Sequence, residues 1–135
     1  MILSLFTQKN PAAMTQENDI LISPATAREV VLLFIQSLND EDFDTAREQL
    51  HDTMTFTGVL GTREGADCYI EDMKKMRLKY DIKKSFADIT DVSVFYDITM
   101  SGVTVFCCGW YRVENGKISW FKVVFDPRPV LEQKK

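Results

Sequence analysis

His51 and Asp52 stand side by side, and a histidine next to a carboxylate is the first place to look for general acid–base chemistry. Their setting argues against it. Neighbours at a helix–strand junction are usually exposed, and a helix-terminal imidazole is favoured by the dipole alone. Three cysteines, Cys68, Cys107 and Cys108, offer a nucleophile. No basic partner accompanies Cys107, and adjacent strand residues face opposite ways, so Cys107 and Cys108 should not bridge each other. All three read as small buried hydrophobes. With one histidine and no Cys-x-x-Cys, no metal and no cofactor are expected. Tyr69, Tyr96 and Tyr111 remain. A buried phenol can donate a hydrogen bond to a ligand carbonyl, or it can fill a core with its hydroxyl on backbone or water. Asp126, before Pro127, reads as a strand-end or rim residue.

The elements that must position these groups are clearest in the last third, VTVFCCGWYRVENGKISWFKVVFDPRP. Two runs rich in β-branched and aromatic residues flank Asn115-Gly116, a strong hairpin signal. Both runs are apolar on both faces, whereas a solvated antiparallel sheet shows polar residues on one. The hairpin must be covered twice, and the chain supplies helices for one cover. Upstream, Ser23-Pro24 opens a helix bearing Val30, Val31, Phe34, Ile35 and Leu38. A shorter helix follows over Glu41 to Leu50, then a short strand with Met54 and Phe56. A third helix is expected from Thr62 to Tyr80, with Tyr69, Met73, Met76 and Tyr80 as its stripe. Met73 and Met76 read as core filler that could equally line an adaptable apolar site. Strands over Lys83–Thr90 and Val92–Met100 precede the hairpin. The order α-α-β-α-β-β-β-β argues α+β, with three helices on one face of a mostly antiparallel sheet.

At 135 residues and a net charge of −4, this is one domain with an ordinary globular composition. Residues 1–22 read as a flexible arm and 23–130 as the domain. Lys74, Lys75, Arg77, Lys79, Lys83 and Lys84 form the one basic concentration, which reads as a solvated face and not a nucleic-acid footprint. MILSLFTQK lacks the basic start and length of a signal sequence, and no segment reaches membrane-spanning length. A cytoplasmic protein is expected, contacting neither nucleic acid nor membrane. Whether Met1 or Met14 begins the natural chain is left open.

The runs AREVVLLFIQSLNDEDFDTAREQL, HDTMTFTGVLG, GADCYIEDM and GWYRVENGKISWFKVVFDP, in that order and spacing, resemble the nuclear transport factor 2-like superfamily, and within it the SnoaL-like and ketosteroid-isomerase-like branch. The resemblance implies a cone-shaped α+β roll of the cystatin-like kind, with a strongly bent sheet around three helices and a pocket between them. It also implies a homodimer packed through the sheets. Composition leaves two hairpin registers open: a two-residue turn pairing Tyr111 with Trp120, or a three-residue loop pairing Trp110 with Trp120. The family pattern favours the second. Phe34, Phe56, Tyr69, Met73, Tyr96, Cys107, Tyr111, Phe121 and Phe125 are then the expected ligand-binding residues. Phe106, Cys108, Trp110, Trp120 and Val124 are the expected dimer interface.

Ketosteroid isomerases use a carboxylate base, a tyrosine and a protonated aspartic acid. The matching positions here are Phe34 for the tyrosine, Gly58 for the base and Gly109 for the acid, and Val123 stands where the epoxide-hydrolase branch has a carboxylate. An isomerase or epoxide hydrolase of the known kind is not expected. Two readings follow. One is a small-molecule pocket protein for an apolar or aromatic metabolite, with any chemistry isomerase-, cyclase- or dehydratase-like. The other is a noncatalytic homodimeric protein-interaction module.

Overall fold

The computed structural model describes residues 25–132. The proposed arm and the Ser23-Pro24 helix start lie outside that range. Ten elements follow in order: α1 (Ala27–Asn39), α2 (Phe43–Glu48), β1 (Leu50–Gly58), β2 (Gly61–Glu64), α3 (Ala66–Met76), β3 (Lys79–Ala87), β4 (Asp91–Met100), β5 (Val103–Glu114), β6 (Lys117–Phe125) and α4 (Arg128–Glu132). The six strands form one open sheet in the order β2-β1-β6-β5-β4-β3. All neighbours are antiparallel except β1 and β6.

The α+β class stands, with two additions: a strand, β2, and a fourth short helix, α4. α1 begins behind Thr26, whose hydroxyl accepts from the Glu29 amide while the Glu29 carboxylate accepts from the Thr26 amide. Its buried stripe of Val30, Val31, Phe34, Ile35 and Leu38 packs across β3 to β6.

The expected third helix, Thr62 to Tyr80, is shorter at both ends. Residues 61–64 pair with β1, and Gly65, with φ of 95°, turns that strand into α3. Arg77 closes α3 in the left-handed region, with φ of 50°. Tyr80 therefore sits on β3, which begins four residues earlier than expected.

The hairpin follows neither expected register throughout. Asn115 and Gly116, both with positive φ, make a two-residue turn with Glu114 opposite Lys117 and Val113 opposite Ile118. Ser119 is then an extra residue, so Arg112 faces Trp120, Tyr111 faces Phe121, and Trp110 faces Lys122. The bulge shifts the ladder by one position beyond the turn. That restores the same face assignment as a three-residue loop, although Trp110 and Trp120 are not directly opposite. Val105, Cys107, Gly109, Tyr111, Phe121 and Val123 are buried beneath the helices. Trp110, Phe106 and Val124 face away from them.

Of the cysteines expected to be buried, only Cys107 is. Cys68 is exposed and Cys108 half-buried, because Cys68 precedes Tyr69 and Ile70 on α3, one position off the helix's buried stripe. All three are free thiols. Among the described residues, no helix is long and apolar enough to cross a membrane.

Candidate functional site

A cavity of about 380 Å³ lies between α3, the β1–β2 hairpin and the inner face of β3 to β6. That is within the size range of small-molecule sites, roughly 300–1,000 Å³. Its wall is built from strand alternation. Tyr96 and Ile98 come from β4, Tyr111 from β5, and Phe121, Val123 and Phe125 from β6, while Tyr69, Met73 and Met76 come from one face of α3.

Seven of the nine expected ligand-binding residues line this space: Phe56, Tyr69, Met73, Tyr96, Tyr111, Phe121 and Phe125. Phe34 and Cys107 do not. Phe34 stands behind the wall, its ring centroid 5.7 Å from that of Phe121 and 6.4 Å from those of Tyr69 and Tyr111. Cys107 is buried, donates to the Val105 carbonyl at 3.5 Å, and has its thiol pushed up to about 11 by burial. It is an inert thiol at neutral pH.

Sequence reasoning missed Tyr80 as a wall residue, together with Leu78 and Met100. Tyr80 showed the right spacing on the α3 stripe, but its place on β3 follows from where α3 stops. With it, all four tyrosines of the chain converge on one cavity. The Tyr96 and Tyr111 hydroxyls are hydrogen-bonded at 2.6 Å. The Tyr80 ring lies 5.6 Å from that of Tyr96. Burial raises all four phenols above their ordinary range, so each keeps its proton through neutral pH.

The two glycines at the acid positions are closely approached by aromatic rings. A β-carbon on Gly109 would run into the Tyr96 hydroxyl and the edge of the Tyr111 ring, and one on Gly58 would press on the Phe56 ring. Val123 is on the cavity wall. The carboxylate at the cavity is Asp72 on α3, at the mouth. Arg63 on β2 grips it through two bonds of 2.7 and 2.9 Å. That hydrogen bonding holds the Asp72 carboxyl below its usual range, which makes it a poor proton acceptor at neutral pH. Sequence reasoning did not find this pair, because the missed strand β2 carries one half of it.

His51 and Asp52 are not a catalytic dyad. His51 is on β1 rather than at a helix end, and its Nε2 donates to the Glu114 carbonyl at 2.6 Å. Asp52 pairs with Arg47 at 2.7 Å. Neither lines the cavity. Asp126 lies beyond the cavity wall and is held by Arg128, which pulls its carboxyl down to about 2.

The opposite face of the sheet is apolar and open. Phe106 is 60% exposed, Val124 58% and Trp110 46%, with Trp120 and Cys108 half-buried beside them. The Trp110 and Trp120 rings meet edge-on at 4.8 Å, and Phe106 stacks on Phe95 at 6.3 Å. Asp91 accepts from the Trp110 indole at 2.6 Å and from Arg112 at 2.8 Å.

The order of these elements, with the cavity between α3 and the sheet, can be set beside known proteins. The family described as SnoaL-like domain matches residues 31–121. This chain belongs to the SnoaL-like family, in the nuclear transport factor 2-like superfamily. A nuclear transport factor 2-like protein of unknown function from Cytophaga hutchinsonii is 42% identical, with a TM-score of 0.79 over 82% of this chain and 99% of that one. Two more distant structures share the fold. An epoxide hydrolase of Mycobacterium tuberculosis is 23% identical, with a TM-score of 0.65 over 78% of this chain and 86% of its own. A cystatin-fold protein from Novosphingobium aromaticivorans is 18% identical, with a TM-score of 0.66 over 73% and 97%. No curated protein matches the chain.

Proposed function

We propose that this SnoaL-like chain is a small-molecule-binding protein that holds an apolar or aromatic metabolite in the hollow of a cone-shaped roll. The observation that carries the reading is the chemistry of the cavity wall. It is apolar apart from the tyrosine hydroxyls, Thr62 and the Arg63–Asp72 pair at the mouth. Apolar walls with a few convergent polar groups are the usual make-up of a ligand site.

The same wall limits what chemistry the protein can perform. General acid–base groups typically supply about 10²- to 10⁴-fold each. Here the positions that carry them in the isomerases are Phe34, Gly58 and Gly109, and the epoxide-hydrolase position is Val123. Any reaction of the isomerase, cyclase or dehydratase kind would have to rest on hydrogen bonding and orientation alone. Free thiols fit a reducing compartment such as the cytoplasm. Native mass spectrometry of the protein incubated with a metabolite extract tests the reading. It expects one small apolar species bound per chain. A spectrum of bare protein across extracts would contradict it.

A second reading concerns the outer face. Contiguous aromatic surface of this kind is unusual on a monomer, and the exposed Phe106, Trp110 and Val124 favour a second copy as its cover. In this reading the chain is a homodimer, and the interface is itself the function if the cavity binds nothing. Light scattering on the parent and on Trp110→Asp tests it. A buried unpaired carboxylate costs several kcal/mol, so the expected result is a dimer that the substitution splits into monomers. A parent that is monomeric at high concentration would contradict it.

A further inference from the structure

One wall of the cavity is a single stretch of chain. Residues 58–63, from the end of β1 through the Val59–Leu60 turn to Arg63 on β2, all line the hollow. The two sides of that stretch are held very differently. β1 is pinned to β6, from Thr55 opposite Trp120 to Gly58 opposite Val123. β2 is the edge of the sheet, four residues long and exposed throughout, with β1 as its one strand neighbour. Short, solvent-exposed ladders with little buried apolar surface open most readily. Glycines stand at both limits of the segment. Gly58 precedes the turn, and Gly65, with a φ of 95° that favours glycine, follows β2. Across the mouth, Arg63 ties β2 to Asp72 on α3 through bonds of 2.7 and 2.9 Å. Among the described residues, no other side-chain hydrogen bond or ion pair joins these two elements.

We propose that residues 59–64 form a strap over the cavity mouth and that the Arg63–Asp72 pair is its latch. With the pair made, Val59, Leu60 and Thr62 complete the wall. With it broken, β2 peels from β1 about Gly58 and Gly65 and opens a way into the hollow, while β1 stays on β6. The strap's use, passage of a ligand, rests on the small-molecule reading above, but its opening needs no ligand. Both latch side chains are partly in water, 49% and 31% exposed, so the pair is weak enough to open on its own. Val59 and Leu60 are 42% and 55% exposed at the turn, which leaves little apolar burial to hold it down once the pair parts. The two-bond grip fixes where Arg63 lands, so closing restores one geometry of the wall. A ligand then enters at a rate set by the fraction of open strap.

Amide hydrogen exchange read by mass spectrometry tests the latch without a ligand. In Asp72→Ala, the peptide covering residues 59–64 should exchange about two- to fivefold faster than in the parent, the loss of an exposed ion pair expressed as an opening equilibrium. Peptides from β5 and β6 should keep their parent rates. Arg63→Ala should give the same change, and the double variant no more than either alone. Sodium chloride at about 1 M screens the pair and should speed the same peptide in the unmodified protein, so the test does not depend on a variant that folds. A second measurement reads the gate. The neutral fluorophore N-phenyl-1-naphthylamine, mixed by stopped flow, should associate with and leave Asp72→Ala faster than the parent by the same factor as the exchange, with Kd unchanged. Unchanged exchange at 59–64 overturns the latch. A rise shared by β5 and β6 overturns it too, since that marks a brace for the whole domain. Faster exchange with an unchanged association rate overturns the gate. If the fluorophore binds neither parent nor variant, the small-molecule reading fails, while the exchange still decides whether the latch exists.

Discussion

At the scale of single residues, the cavity is shaped by positions without a side chain and by the rings that crowd them. Gly109 is the sharpest example. It is buried between Val94 on β4 and Val123 on β6, and its hydrogen side faces the Tyr96–Tyr111 pair. Adding one methyl group there forces two large buried side chains to shift, and overpacking of this kind typically costs about 1–3 kcal/mol. Gly109→Ala is therefore expected to lower stability by that amount in urea titration. The cost should shrink when Tyr96→Phe removes the hydroxyl that the methyl meets, a coupling that a double-mutant cycle reads directly. Equal costs in both backgrounds would contradict the packing described here. The sequence made it legible that positions 58, 109 and 123 carry no acid, because they hold two glycines and a valine. It did not reveal that tyrosines crowd Gly109, since Tyr96 and Tyr111 are 15 residues apart and meet only through the β4–β5 ladder.

At the scale of elements, the hairpin shows how a face can be legible when a register is not. Alternation separates Tyr111 from Trp110 within β5, and Phe121 and Val123 from Val124 within β6, whereas which set of one strand shares a face with which set of the other depends on how the loop aligns them. The device that aligns the two strands is a two-residue turn plus a bulge at Ser119, and composition carries no signal for a bulge. Ser119 is unpaired in the ladder, and its hydroxyl makes a 3.3 Å bond to the Arg112 carbonyl. Deleting it leaves Ile118 facing in, Trp120 facing out and Phe121 facing in, which is regular alternation. The deletion is expected to fold with the same strand pairs and to lower Tm by less than about 4 °C, roughly what 1 kcal/mol costs a domain of this size. Loss of the folded state would show that the bulge's bend, and not only its register, is required. The α3 region fails the sequence reading for a related reason. A helical stripe continued on paper from Tyr69 to Tyr80, but the Gly65 turn and the left-handed Arg77 confine the helix to its middle. The hairpin pairing of β2 with β1 then brings Arg63 to Asp72, a contact that no local pattern announces.

For the whole molecule, one sheet separates two apolar environments. Its inner face is covered by α1 and α3 and encloses a cavity, and its outer face is bare in the single chain. Family membership, sheet class and the two-sided greasiness of β5 and β6 were all legible, because they rest on motif order and alternation. The volume left inside was not, since it depends on how far Phe34, Phe56 and Phe121 stack on one another instead of filling the hollow. The structure has Phe34 and Phe56 packed against Phe121, at 5.7 and 5.1 Å between ring centroids, and the space beyond them open. The central claim is that this space admits an apolar ring. Soaking crystals in bromobenzene and measuring anomalous scattering from bromine tests it most directly. A bromine peak is expected within the cavity, between Met73, Phe121 and Phe125. A cavity without bromine, closed by its own side chains or marked only by peaks along Phe106 and Trp110, would contradict the account.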